Sequence, residues 1–237
     1  MSLIVLVRHG KASAFSQHDY DQLSETGFEQ SRELGRYWAR EEVRFDRVYV
    51  GPRRRHQETH DTVAAILRES GRPLPDPIPL ADLDEHAGIK LIFALLPELG
   101  PEDPTLRAIA ATMAQGETPA PRDMLATFRA LMRRWARGEV THETVEAWSE
   151  FRKRVARSLD IMTEGLARGE TVAAFTSAGA VAAAIGHVLD LDDTRVIDLS
   201  FSMHNAALSE LTHADGSFHL RSFNCTPHLE RTLITAV

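Results

Sequence analysis

Short apolar runs alternate along the chain with longer stretches in which apolar residues recur every three or four positions, the pattern of strands alternating with helices. Leu3 to Val7 is rich in β-branched residues and runs into a charged, glycine-containing turn, which predicts a buried parallel strand feeding a loop. Ser24 has the character of an N-cap, and Phe28, Leu34, Tyr37 and Trp38 follow at helical spacing to about Arg40. Val48 to Val50 predicts a second strand, broken by Gly51-Pro52 before a helix carrying Val63, Ile66 and Leu67. The proline-rich stretch from Gly71 to Pro79 is extended and delivers the chain to an acidic turn, Asp82-Leu83-Asp84-Glu85. From Ile89 to Arg168 the pattern is mostly helical, with proline loops at Pro97 to Pro104 and Pro119 to Pro121, and reads as a helical cap or insertion. Thr171 to Thr176 resumes a strand, Ser177-Ala178-Gly179 turns tightly, and an alanine-rich helix follows to Leu189. Further strands are expected at Val196 to Leu199, Ala206 to Leu211 and Phe218 to Phe223.

Strand, helix, strand, helix with a late return to strands predicts one α/β domain over residues 1–237, a mostly parallel sheet with helices on both faces and the cap inserted at about 89–168. Ligands bind outside the carboxyl ends of the strands in such sheets. Three polar clusters stand at those ends: Arg8-His9-Gly10, Arg53-Arg54-Arg55 and Thr176-Ser177-Ala178-Gly179.

Composition narrows the partners. A hydrophobic content of 43% supports a buried core, and a formal net charge of −7 argues against a nucleic-acid surface or a polybasic membrane patch. Leu3 to Val7 is too short for a membrane span and lacks the flanks of a secretory signal, so a cytoplasmic protein is expected. Cys225 is the only cysteine, so an intramolecular disulfide cannot form and nothing points to a thiolate metal site. The oligomeric state is not legible.

The chemistry of the clusters is that of an anion site. Arg8 sets a guanidinium beside the His9 imidazole, and Gly10 lets the backbone approach a ligand closely. With a reference pKa of roughly 6.5, a histidine is substantially neutral near pH 7 and attacks phosphorus when cations neutralise the oxygens it approaches. Arg8 and the Arg53 to Arg55 cluster are those cations. The His56 and His60 pair with Glu58 between them is not the zinc-protease helix, because Gln57 stands where the glutamate is needed. Phosphate-binding P-loop and dinucleotide glycine patterns are absent from the sequence. Trp135 and Trp148, with Phe128, Leu131 and Met132, read as core.

Val7-Arg8-His9-Gly10 followed by Leu23-Ser24-Glu25-Thr26-Gly27 closely resembles the opening of the histidine phosphatase superfamily, whose fold is phosphoglycerate-mutase-like. Gly51-Pro52-Arg53-Arg54-Arg55-His56-Gln57-Glu58-Thr59 resembles its next motif, with Gly51 in place of the usual serine, and the resemblance puts the second phosphate-binding arginine on Arg55. Arg53 and Arg54 are then expected at the rim or in solvent. The resemblance also implies a carboxylic acid in the Leu83-Asp84-Glu85-His86 turn, assigned to Glu85 with Asp84 as the fallback. Beside a phosphate dianion such a carboxyl keeps its proton by like-charge repulsion. At the fourth motif the chain departs from the pattern: Ser177 stands where the family has a second histidine. Ser177 and the backbone at Ala178, at a helix N-terminus, retain the capacity to bind an anion. A branch with a similar turn also carries an Asn and a Pro-His-Leu near its end, here Asn224 and Pro227-His228-Leu229, which makes His228 a candidate for the corner left by that histidine.

The expectation is a phosphatase acting on a small phosphate ester, with His9, Arg8, Arg55 and Glu85 catalytic, Gly10, Ser177, Ala178 and His228 contacting substrate, and no metal or cofactor required. A phosphoglycerate-type mutase and a regulatory phospho-ligand binder on a weakened scaffold are the alternatives.

Overall fold

The computed structural model describes residues 1–13, 21–99 and 102–236, so part of the expected Pro97 to Pro104 loop lies outside the described residues. Among the described residues, six strands form one sheet: β1 (Ser2–Arg8), β2 (Arg47–Val50), β3 (Pro77–Pro79), β4 (Thr171–Thr176), β5 (Leu208–Ala214) and β6 (Ser217–Cys225), in the order β3-β2-β4-β1-β5-β6. The first four run parallel, and β5 joins β1 antiparallel and continues into β6 as a hairpin. Two of the three residues of the edge strand β3 are proline.

The period-2 alternation of β1 divides the core. Val5 and Val7 pack with Val48, Val50, Ala173 and Phe175 under α1 (Glu25–Arg40) and α2 (Arg54–Glu69). Ile4 and Leu6 face the opposite layer, built by α6 (Trp148–Thr163), α7 (Ala178–Val188) and α8 (Asp193–Ser202). The α1 stripe is Gly27, Gln30, Ser31, Leu34, Gly35 and Trp38, and Ser24 caps it by accepting from the Gly27 N–H at 3.2 Å. Helices α3 (Gly88–Leu99), α4 (Arg107–Ala114) and α5 (Pro121–Ala136) fall in the segment expected as a cap. The last helix of that segment, α6, is instead part of the sheet's own layer, because Phe151, Val155, Leu159 and Met162 are buried in one cluster with Val172 and Ala174.

One element differs in type. Val196 to Leu199, expected as a strand, lies inside α8. The apolar run is short enough for either structure, and the deciding groups lie upstream: the Asp192 carboxylate accepts from the Arg195 N–H at 2.9 Å and starts a helix that buries Val196, Ile197 and Ser200.

The loop after β1 is held from three sides. His9 N–H donates to the Thr176 carbonyl at 2.8 Å, the Ala206 N–H donates to the His9 carbonyl at 3.1 Å, and the Lys11 N–H donates to Oε1 of fully buried Gln30 at 2.8 Å. Gln30 in turn donates to the Leu233 carbonyl at 2.7 Å and to Thr235 at 2.9 Å, so one side chain of α1 joins this loop to the C-terminal segment. Replacing Gln30 by leucine keeps the volume and takes this partner from the Lys11 N–H and the Leu233 carbonyl, while Thr235 keeps its bond to Asn205. We expect Gln30→Leu to lower unfolding stability by about 1–3 kcal/mol, read by urea titration; an unchanged midpoint would mean that the side chain does not carry this junction.

Candidate active site

The carboxyl ends of β1, β2 and β4 open into a cavity of about 560 Å³. Its polar lining includes Arg8, His9, Lys11, Ser13, Arg53, Arg55 and Glu85, and its apolar lining includes Ala87, Ile89, Phe128 and Phe201. Residues far apart in the chain meet here because consecutive parallel strands deliver their C-terminal loops to one edge.

Arg8 and Arg55 are buried guanidiniums. Arg8 ends β1 and donates through Nη1 to the Met203 carbonyl at 2.5 Å, in the turn before β5. Arg55 is in the first turn of α2 and donates to Asp21 Oδ1 at 2.9 Å, while the other oxygen of Asp21 accepts the Arg54 N–H at 3.0 Å. Asp21 therefore fixes both the helix start and the cation on it, a role that no sequence motif marks.

His9 lies within this charge. Its Nδ1 is 2.7 Å from the Gly10 carbonyl, which can only accept, so Nδ1 carries the proton and Nε2 the lone pair. Burial, followed by the charges of Arg55 and Arg8 and the nearby His56, lowers its pKa well below 6.5 and keeps the ring neutral. Gly10 spends its N–H on Thr59 Oγ1 at 3.1 Å and does not line the cavity.

Glu85 is the acid that reaches the cavity. Asp84, the fallback, is bound instead by Arg53, with Nε 2.5 Å from Oδ1, and accepts the Glu85 N–H at 2.7 Å. The Glu85 carboxylate accepts from the N–H of His86 at 2.9 Å and of Gly179 at 3.3 Å, sitting at the N-terminus of α7 where an anion is favoured. A Cβ on residue 179 would lie 2.1 Å from Glu85 Oε1, so only glycine admits the carboxylate. Burial pushes this carboxyl up, but His86, Arg55 and the two N–H groups outweigh it and hold the group below the ordinary carboxylate range.

The acid-bearing turn is splinted from α6. Arg154 donates to the carbonyls of Asp82 at 3.0 Å, Asp84 at 2.8 Å and Glu85 at 3.3 Å, and is held by Glu146 at 2.8 Å. One turn on, Arg157 grips the Asp82 carboxylate through two bonds of 2.7 Å. Beyond the turn His86 is boxed by Phe128, Trp135, Trp148 and Phe151, with ring separations of 5.6–6.4 Å. Phe128, read from sequence as core, lines the cavity, and so do His86 and Asn205. Arg53 reaches the rim and Arg54 turns outward to Glu58, both as expected.

Of the remaining expected contacts, Ala178 lines the cavity and Ser177 lies buried behind it, its Oγ 2.6 Å from His56 Nε2. His228 does not fill the corner beside Ser177. It is buried against Tyr37 of α1, ring centroids 6.1 Å apart, outside the cavity lining, and burial lowers its pKa to about 4. The imidazole at that corner is His56, whose ring centroid is 5.8 Å from that of His9. His60 turns elsewhere, to Asp61 and the edge of Phe175. Among the described residues no helix is long and apolar enough to cross a membrane.

No curated protein sequence matches the chain significantly. Solved structures share its fold: Bacillus stearothermophilus YhfR, at 19% identity, covers 97% of this chain and 100% of its own with a TM-score of 0.65. Phosphoserine phosphatase of Entamoeba histolytica, in complex with 3-phosphoglyceric acid, has 17% identity, coverage of 97% and 100% and a TM-score of 0.63. Phosphoglycerate mutase of Bacillus anthracis has 17% identity, coverage of 96% and 94% and a TM-score of 0.61. The family model of the histidine phosphatase superfamily, branch 1, matches residues 4–88 and 101–226, and the chain belongs to that superfamily.

Proposed function

We propose that the chain hydrolyses a small phosphomonoester through a phosphohistidine on His9. The observation that supports this best is a neutral imidazole, with Nε2 as its lone-pair nitrogen, held between two buried guanidiniums at the wall of a substrate-sized cavity. Arg8 and Arg55 bind the non-bridging oxygens, and His9 Nε2 attacks phosphorus as the bond to the leaving oxygen breaks. Glu85 gives that oxygen a proton, then takes one from the water that cleaves the phosphorus–nitrogen bond and releases phosphate. The reaction as written uses no metal ion. Ile89, Phe128 and Phe201 fit an alcohol with an apolar body, so p-nitrophenyl phosphate is a suitable probe.

On that substrate His9→Ala should abolish turnover and the acid-labile phosphoenzyme seen after a quench. Arg55→Ala should cost ~10²–10³-fold in kcat, the scale of losing one preorganised donor to transition-state charge. Undiminished activity in His9→Ala would end the proposal.

The protonation states predict the pH profile. His9 must be neutral to attack, and because its pKa is lowered, the limb it causes lies below 6.5. Glu85 is ionised in the empty site, so its proton enters with the substrate monoanion, whose loss at a second pKa of roughly 6 makes kcat/KM fall as pH rises further. The optimum of kcat/KM should therefore lie below pH 6.5; an optimum at 7.5 or above would contradict these assignments.

Arg154 bonds the backbone that carries the acid and its Glu146 partner and lies over the Phe151 ring, so its loss should displace Glu85 without removing a phosphate ligand. We expect Arg154→Gln to lower kcat by roughly 10²-fold, as misplacement by about 1 Å does, while the competitive Ki for inorganic phosphate stays within about threefold. A loss confined to phosphate binding would refute this role.

A further inference from the structure

Resting on the reading of Arg55 as a phosphate ligand, we propose that His56 and Ser177 form a buried relay of positioning residues that fixes the Arg55 guanidinium for the transition state. Ser177 Oγ is 2.6 Å from His56 Nε2 and 3.5 Å from Arg55 Nη2, and both relay side chains are fully buried. A guanidinium only donates, so the serine oxygen accepts from Arg55; the neutral His56 ring turns Nδ1 to the Gly51 backbone, which leaves the lone pair on Nε2 to take the serine hydrogen. The order of the relay is thus Arg55 to Ser177 to His56. Asp21 holds the other terminal nitrogen of Arg55 at 2.9 Å, and a planar group gripped at both ends has its plane set before a ligand arrives.

Two further observations single out His56. Its buried Nδ1 lies against the backbone of Gly51, whose carbonyl engages it and offsets part of the fall in the ring's pKa. Residue 51 is also glycine where a Cβ would lie 2.4 Å from that Nδ1 and 2.9 Å from the Leu83 carbonyl, so the ring fits only because position 51 has no side chain. Burial, and then Arg55, lower the His56 pKa to about 3. The relay is therefore neutral throughout the working pH range and adds no charge that would draw phosphate away from the arginines.

A double-mutant cycle over His56→Ala and Ser177→Ala tests this, with His56→Gln as a filled control whose Oε1 can accept the serine hydroxyl. The readouts are kcat and KM for p-nitrophenyl phosphate and, by calorimetry, Kd for orthovanadate and inorganic phosphate, on variants whose circular dichroism matches the parent. Each alanine variant should lose roughly 10–10²-fold in kcat with KM within about threefold. Vanadate, which takes the transition-state geometry, should weaken in proportion and phosphate should not. The double variant should lose no more than the worse single one, and His56→Gln should recover most of the loss. Losses that multiply, equal weakening of vanadate and phosphate, or parental kinetics in folded His56→Ala would overturn the relay. If the parent binds vanadate without turning over substrate, the hydrolytic reading fails while the vanadate cycle still decides the relay.

Discussion

Two guanidinium charges buried at one edge of the sheet set the terms for everything around them. A cation removed from water must be compensated nearby, and each neighbour of Arg8 and Arg55 does part of that work: the Met203 carbonyl, the Asp21 carboxylate and the Ser177 hydroxyl. The same charges fix the states of the titrating groups. Both help hold His9 neutral and Arg55 helps hold Glu85 ionised, so the ring beside the two guanidiniums is a neutral imidazole rather than a third cation. The fold supplies the location, because β1 and β4 end in register, Arg8 opposite Thr176, and the N–H of His9, the residue after β1, bonds the Thr176 carbonyl across the gap.

The sequence was most legible where chemistry is local. Arg8, His9, Arg55 and Glu85 were each singled out from short motifs, and they line one cavity although the first and last of them are separated by two α-helices and two strands. The buried parallel strands were equally plain, since a β-branched run between breakers has few other readings. What escaped was set by partners distant in the chain. Arg154 looks like any polar residue on an amphipathic helix until α6 is laid beside the acidic turn, and Asp21 marks nothing until the N-terminus of α2 comes to rest on it.

His56 escaped for a different reason. Beside Arg55 on α2 it reads as one face of a helix, and Gly51 reads as a minor variation in a turn; the two have meaning only together, because the room left by one is occupied by the other. His228 attracted notice by its sequence neighbours, Pro227 and Leu229, yet the chain packs it against Tyr37 of α1, outside the cavity lining. Val196 to Leu199 went the way of α8 because an upstream carboxylate captured a backbone N–H, and capping outweighs the β preference of so short a run.

The composition of β3 limits how these molecules can meet one another. An outermost strand normally exposes a row of backbone donors on which foreign chains stack into fibrils. Here that margin is three residues long and Pro77 and Pro79 have no N–H to offer, so on this side the sheet presents a capped boundary where an intruding strand finds almost no foothold.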